Sequence, residues 1–192
     1  EFNQPIESLF QLQLLTNLTF GYYFNQFVDN LPLNITHLTF SGHFNKSVDN
    51  LPENITNLSF GNCFNQPIDN LPQNVTHLIL GSDFNQPVNN LQPSACTKCN
   101  QGCTCCPKNL THLRFGYNFN QSVDFLPKNL TELDFGHKFN QPIEHLPENI
   151  THLTFDWEFN QPIEYLPNGI THLTFGYSFN QPVDNLPQSI TN

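Results

Sequence analysis

The amino-acid sequence predicts a mainly β solenoid of about nine short coils, with one parallel β-sheet face and an extended or 3₁₀ return side. Three observations predict this fold. A Phe-Asn motif, usually Phe-Asn-Gln, recurs along the whole 192-residue chain. Each copy holds one short segment of β-branched and aromatic residues, which favours a strand. Most copies also contain Leu-Pro, and proline cannot continue a helix because it lacks an amide donor.

The repeats follow one another in phase, and most of them are 20 residues long. The motif begins at Phe2, Phe24, Phe44, Phe64, Phe84, Phe119, Phe139, Phe159 and Phe179. The long gap before Phe119 is a normal repeat that carries a cysteine-rich loop insertion at residues 92–106. We therefore expect one solenoid over residues 1–192, with an array that is truncated at both ends and open to stacking on neighbours.

The core of this solenoid can be predicted by column. In the strand segment, Ile35, Leu38 and Phe40 should point inward, and Phe44 should begin a second aromatic column. One coil is too small to bury these side chains, but coils stacked ~4.8 Å apart can do so. The Asn that follows each motif Phe is predicted to be structural, because a stacked amide column can bond to itself and to the backbone.

The composition excludes several classes of function. The chain has 16 acidic and 6 basic residues and a net charge of −10, so it lacks a basic surface for nucleic acid. No apolar run reaches the ~20 residues of a membrane span. No phosphate loop, nucleophile elbow or zinc-protease motif occurs. The sequence thus predicts a protein that is not an enzyme, with no catalytic residues and no cofactor.

Five of the six cysteines lie close together in the insertion. They are Cys96, Cys99, Cys103, Cys105 and Cys106. Disulfides are the favoured interpretation, and an odd thiol would be left to crosslink to another chain or to Cys63. Thiolates at this density could instead bind Zn²⁺ or Cu(I), although the usual paired zinc spacing is absent. Free thiols are the third alternative.

The outward side of the strands is the predicted protein-interaction face. Its candidate residues are His37, Thr39, His77, His112, Arg114, His152, Thr154, His172 and Thr174. The histidines form one column, but ligands related by translation do not converge on one metal ion. We therefore expect no metal site in this column.

Two further sequence patterns recur with the repeat. Acidic residues such as Asp29, Asp49, Asp69 and Asp124 form a column, which we expect to cap local turns. Asn-x-Ser/Thr sequons arise from the Asn-Ile-Thr of the strand segment, so glycans are left open as partners.

The motifs resemble the FNIP repeat, a relative of the leucine-rich repeat. The matching residues are Phe-Asn-Gln-Pro followed by Leu-Pro-x-Asn-Ile-Thr-His-Leu-Thr-Phe-Gly, in copies across the chain outside residues 92–106. Most repeats here are shorter than the family's usual unit. The resemblance implies occurrence in social amoebae and in giant viruses of amoebae, where some members belong to an external fibril layer. It implies no catalytic residues.

Two functional hypotheses follow, and an enzyme is disfavoured. The first is a structural protein of an external fibril or surface layer of a giant virus, at the virion surface or extracellular, assembling through solenoid ends and cysteine crosslinks with itself or another structural protein. The alternative is the substrate-recognition arm of an F-box-type ubiquitin-ligase adaptor in the host cytoplasm.

Overall fold

The computed structural model describes residues 2–92 and 106–191. Within them lie eight short strands: β1 (Asn17–Phe20), β2 (His37–Phe40), β3 (Asn57–Ser59), β4 (His77–Ile79), β5 (His112–Arg114), β6 (Glu132–Asp134), β7 (His152–Thr154) and β8 (His172–Thr174). Two 3₁₀ helices, Glu7–Gln11 and Asn89–Leu91, lie on the return side. The rest of each described coil is extended or turned.

The strands form one parallel sheet in sequence order, from β1 to β8. Neighbouring strands pair at a constant offset, so that Leu38 pairs with Leu58 and Leu58 pairs with Leu78. Between β4 and β5 the offset is longer, and His77 pairs with His112. The register is therefore kept across the insertion. The predicted parallel-sheet solenoid is confirmed.

Two tight turns shape each coil. The N–H of Ile35 donates to the carbonyl of Pro32 at 3.4 Å, and the N–H of Phe24 donates to the carbonyl of Gly21 at 3.1 Å. Equivalent bonds recur in later coils. A further bond joins successive coils at the corner after the strand, where the N–H of His43 donates to the carbonyl of Tyr22 at 2.8 Å.

Stacked phenylalanine rings form the centre of the core. Phe64 is fully buried, and its ring lies 3.8 Å from that of Phe60 in the same coil. Its centroid is 6.1 Å from Phe44 and 6.2 Å from Phe84 in the neighbouring coils. The residues predicted to point inward, including Ile35, Leu38 and Phe40, are buried. Two aliphatic columns on the far side are buried as well: Val48, Ile68 and Val88, then Leu51, Leu71 and Leu91.

The asparagines after the motif phenylalanines form a ladder of hydrogen bonds between coils. The Oδ1 of Asn45 accepts the backbone N–H of Asn65 at 3.0 Å and the Nε2 of Gln66 at 2.9 Å. The backbone bond recurs in every step of the described stack: Asn3–Asn25, Asn25–Asn45, Asn65–Asn85, Asn85–Asn120, Asn120–Asn140, Asn140–Asn160 and Asn160–Asn180. The predicted structural role of this column is confirmed.

A second asparagine column precedes the strands and was recognised in the sequence only as sequons. The Nδ2 of Asn54 donates to the carbonyl of Leu33, and that of Asn74 donates to the carbonyl of Glu53, both at 2.9 Å. Asn34, Asn129 and Asn149 make the equivalent bonds. A glycan on one of these nitrogens would replace one of its two protons beside a contact between coils.

We expect Phe64→Ala to lower the free energy of unfolding by about 3–5 kcal/mol, because it leaves a cavity in the fully buried ring stack. Urea denaturation followed by circular dichroism measures the loss. Phe179→Ala removes the same ring from the same column where it is only partly buried, and it should cost clearly less. Equal losses at the two positions would contradict a core built from stacked rings.

We expect Asn45→Leu to destabilise the protein by about 1–3 kcal/mol, because the N–H of Asn65 loses its acceptor. Asn45→Asp keeps an oxygen at this position and should retain most of the stability. Thermal unfolding of both variants measures the difference. A leucine variant as stable as the aspartate variant would show that the ladder bond contributes little.

Candidate interaction surface

The residues of the predicted interaction face are brought together on one side of the sheet. Parallel pairing places His37, Asn57, His77, His112, Glu132, His152 and His172 in one column. Thr39, Ser59, Ile79, Arg114, Asp134, Thr154 and Thr174 form the second column. The leucine between the two columns is buried in most strands, as at Leu38. This placement agrees with the sequence analysis, and a binding role for the face stays a prediction.

The histidine column contains two stacked imidazole pairs. The rings of His77 and His112 lie 4.0 Å apart, and those of His152 and His172 lie 4.2 Å apart. A threonine hydroxyl holds each ring, as where Thr76 Oγ1 lies 2.8 Å from His77 Nδ1. These rings present a row of edges to solvent.

The environment of His77 disfavours its charged form. Burial lowers the pKa of His77 below the ordinary histidine value of 6.5, and the neighbouring His112 and His37 lower it further. Glu132 opposes them, and this carboxylate lies 3.2 Å from the Nε2 of His112. Protonation of His77 on acidification therefore comes at a cost to the folded state.

A shallow groove of about 550 Å³ runs across the coils beside the sheet, from the coil of β3 to that of β8. One wall is the second face column, from Ile79 to Thr174. The floor contains glycines because the backbones of successive coils approach closely. A Cβ on Gly81 would lie 1.8 Å from the carbonyl oxygen of Gly61, and one on Gly136 would lie 1.8 Å from that of Gly116.

An exposed stack of aromatic rings, which we call the aromatic ridge, begins at the groove and continues beside it: Tyr117, His137, Trp157 and Tyr177. Tyr117 and His137 line the groove. The successive ring centroids are 4.3, 5.6 and 4.6 Å apart, and each pair lies within 17° of parallel. In the preceding coils the same column holds Tyr22, Gly42, Asn62 and Ser82, so the one earlier aromatic residue has no aromatic neighbour in its column. The ridge therefore distinguishes the last four described coils from those before them.

The sequence analysis missed the aromatic ridge. The signal was available, because an aromatic residue follows the strand corner in four consecutive repeats, as Gly-Tyr, Gly-His, Asp-Trp and Gly-Tyr. The stacking of these side chains depends on the inter-coil spacing and on the direction of the corner, which the sequence does not show directly.

The acidic column lies on the return side and links neighbouring coils. Asp49 accepts a hydrogen bond from Asn70 at 2.8 Å and one from the hydroxyl of Ser47 at 2.8 Å. The first bond recurs between Asp29 and Asn50. The local contact matches the expected turn capping, whereas the inter-coil bond was not expected.

The cysteine candidates can be placed only in part. Cys96, Cys99, Cys103 and Cys105 lie outside the described residues. Cys106 is fully buried where the chain re-enters the stack. Cys63 is half-buried at a corner on another coil. Because a buried sulfur is inaccessible to another chain, Cys106 is poorly suited to intermolecular crosslinking.

Among residues 2–92 and 106–191, no group of three or more His, Cys, Asp or Glu side chains is placed to hold a metal ion. Helices in this part of the chain are all too short to cross a lipid bilayer.

Comparison with models of known protein families shows the family of the chain. The family model described as FNIP Repeat matches residues 27–63, 44–70, 64–97, 103–138, 139–178 and 159–192. The chain belongs to the FNIP-repeat family. A search of curated proteins finds no significant match. The repeats predicted from the Phe-Asn motif are thus confirmed as FNIP repeats. Solenoids of such repeats are associated with protein interaction, and the comparisons indicate no enzymatic family.

A solved structure from a giant virus resembles this FNIP-repeat chain. It is described as CroV588, a novel circular LRR protein. The two chains are 45% identical, with a TM-score of 0.68 over 92% of this chain. The FNIP-repeat chain spans 29% of the length of that protein. The likeness supports the leucine-rich-repeat-like solenoid predicted from the sequence.

We expect the His77→Asn variant to lose stability less steeply than the wild type as the pH falls below 6.5. The unfolded chain takes up a proton near 6.5, whereas the folded chain resists it because the pKa of His77 is lowered. Acidification in this window therefore favours unfolding of the wild type. Urea midpoints at several pH values between 7.5 and 5 measure the slope.

The control for this experiment is Thr154→Ser, which lies on the same face and carries no titrating group. It should keep the wild-type slope. A His77→Asn variant with an unchanged slope would show that His77 does not contribute to the pH dependence of folding.

Proposed function

We propose that this FNIP-repeat chain is a non-catalytic structural protein of an external fibril or surface layer of a giant virus. The observation that supports it best is the uninterrupted parallel sheet, beneath which the buried columns repeat apolar residues from coil to coil. Repetition provides extended surfaces for protein contacts, whereas catalysis needs dissimilar groups that converge. The giant-virus origin of CroV588, at 45% identity, supports this biological setting.

Assembly is proposed to use contacts between solenoids together with disulfides from the insertion. Cys96, Cys99, Cys103 and Cys105 supply the thiols. Each bond forms when two thiols lose two protons and two electrons to an oxidant such as molecular oxygen in the extracellular medium. Buried Cys106 is not required for a link between chains.

Purified virus particles test both parts of the proposal. Immunogold labelling should place the protein on the particle surface, and non-reducing electrophoresis should show covalent multimers that reductant converts to monomers. A variant with serine at Cys96, Cys99, Cys103 and Cys105 should lose the multimers, whereas Cys63→Ser should keep them.

The opposite outcome would favour the F-box alternative. Cytoplasmic labelling of infected cells, reduced monomers and co-purification with ubiquitin-ligase subunits would overturn the virion assignment. Multimers that survive the four serine substitutions would overturn the crosslinking part alone.

A further inference from the structure

We propose that the aromatic ridge and its groove bind an extended, basic segment of a partner polypeptide that carries aromatic side chains. This inference rests on the protein-interaction part of the proposed function and does not depend on a virion location. It concerns coils whose surface departs from the repeat pattern.

The ridge exposes more aromatic surface than folding requires. Tyr117 and Trp157 are each 47% exposed, and Tyr177 is 80% exposed. The fold does not need aromatic residues in this column, because Asn62 and Ser82 occupy it in earlier coils that are equally well stacked. Tyrosine and tryptophan, with arginine, are the residues that most often dominate protein interfaces. Arg114 lines the same groove as Tyr117 and His137.

The ring geometry favours a polypeptide over a carbohydrate. The two inner rings of the ridge, His137 and Trp157, have neighbours on both faces at 4.3–5.6 Å, so mainly their edges meet the solvent. A sugar ring that stacks on an aromatic side chain needs an open face. Aromatic edges carry partial positive charge and pair with the faces of other rings or with electron-rich atoms. An aromatic side chain or a peptide carbonyl of a partner suits these edges.

The length of the groove fits an extended segment. The groove passes six coils, from that of β3 to that of β8, which corresponds to five steps and about 24 Å. An extended peptide advances about 3.3 Å per residue, so about seven residues would cover this distance. The glycine floor keeps the path free of side chains along most of its length.

The charge of the groove favours a basic partner. Two aspartates, Asp134 and Asp156, and one arginine, Arg114, line the groove, so the summed charge of these three side chains is 1 − 2 = −1. The whole chain carries a net charge of −10. The ion pairs between side chains of the described residues do not include these three groups. Asp156 accepts the N–H of Trp157 at 2.7 Å through one oxygen, and its other oxygen can accept from a partner.

Phage display of random linear seven-residue peptides against the wild-type protein tests the inference. We expect the enriched peptides to combine Lys or Arg with Phe, Tyr or Trp. Their binding should shift the fluorescence of Trp157, which is the single tryptophan of the chain. Synthetic copies of the enriched peptides then give dissociation constants by fluorescence anisotropy.

Two double variants locate the binding. Tyr117→Ser with Trp157→Ser should weaken the peptides at least tenfold, and Asp134→Asn with Asp156→Asn should weaken the most basic ones at least tenfold. Tyr165→Ser, which removes a 61% exposed tyrosine outside the ridge and the groove, should leave the affinity within twofold. Circular dichroism and melting temperature verify that each variant is folded.

Several outcomes would overturn the inference. These are the absence of enriched peptides, enrichment of acidic peptides, or affinities that the ridge variants leave unchanged. Binding to a glycan array that depends on Trp157 and Tyr177 would replace the peptide with a carbohydrate. Each of these results can occur while the virion location and crosslinking hold, so the two proposals fail separately.

Discussion

The structure depends on hydrogen bonds and ring contacts that each coil makes with its neighbours. A coil of this length has too few residues to build a core, and the parallel sheet leaves amide groups unpaired at the corners. The side chain of Asn45 supplies an acceptor for the backbone of Asn65, and Phe44 stacks on Phe64. Because donor and acceptor belong to different coils, the contacts that stabilise the fold lie between neighbouring repeats, as in other solenoids.

The same constraint explains which positions vary. A side chain that lies between coils or inside the stack must fit both neighbours, and these columns keep Phe, Leu and Asn. The solvent-facing columns have no such requirement, so Ile79, Arg114 and Asp134 follow one another in a single column. Departures from the repeat pattern on the surface are therefore the places where a specific partner can be recognised.

The two sides of the solenoid differ in their chemistry. The return side carries a column of carboxylates, and asparagines of the next coil bond to several of them, as Asn70 does to Asp49. The sheet side carries imidazoles and the wall of the groove. Like charges repeated at each coil repel one another only weakly in water, so the chain tolerates its high negative charge while its folded state stays sensitive to protonation of His77.

The sequence alone determined the solenoid, the strand positions, the buried columns and the structural role of Asn45. Each local pattern recurs every 20 residues in most of the chain, so several copies support the same structural prediction. It also placed the face residues from His37 to Thr174 correctly on one side of the sheet. The tertiary structure decided how equivalent side chains meet across coils. It paired Asn54 with the carbonyl of Leu33, and it stacked Trp157 on Tyr177 beside a groove. These contacts depend on the distance and direction between coils, which sequence periodicity leaves unspecified.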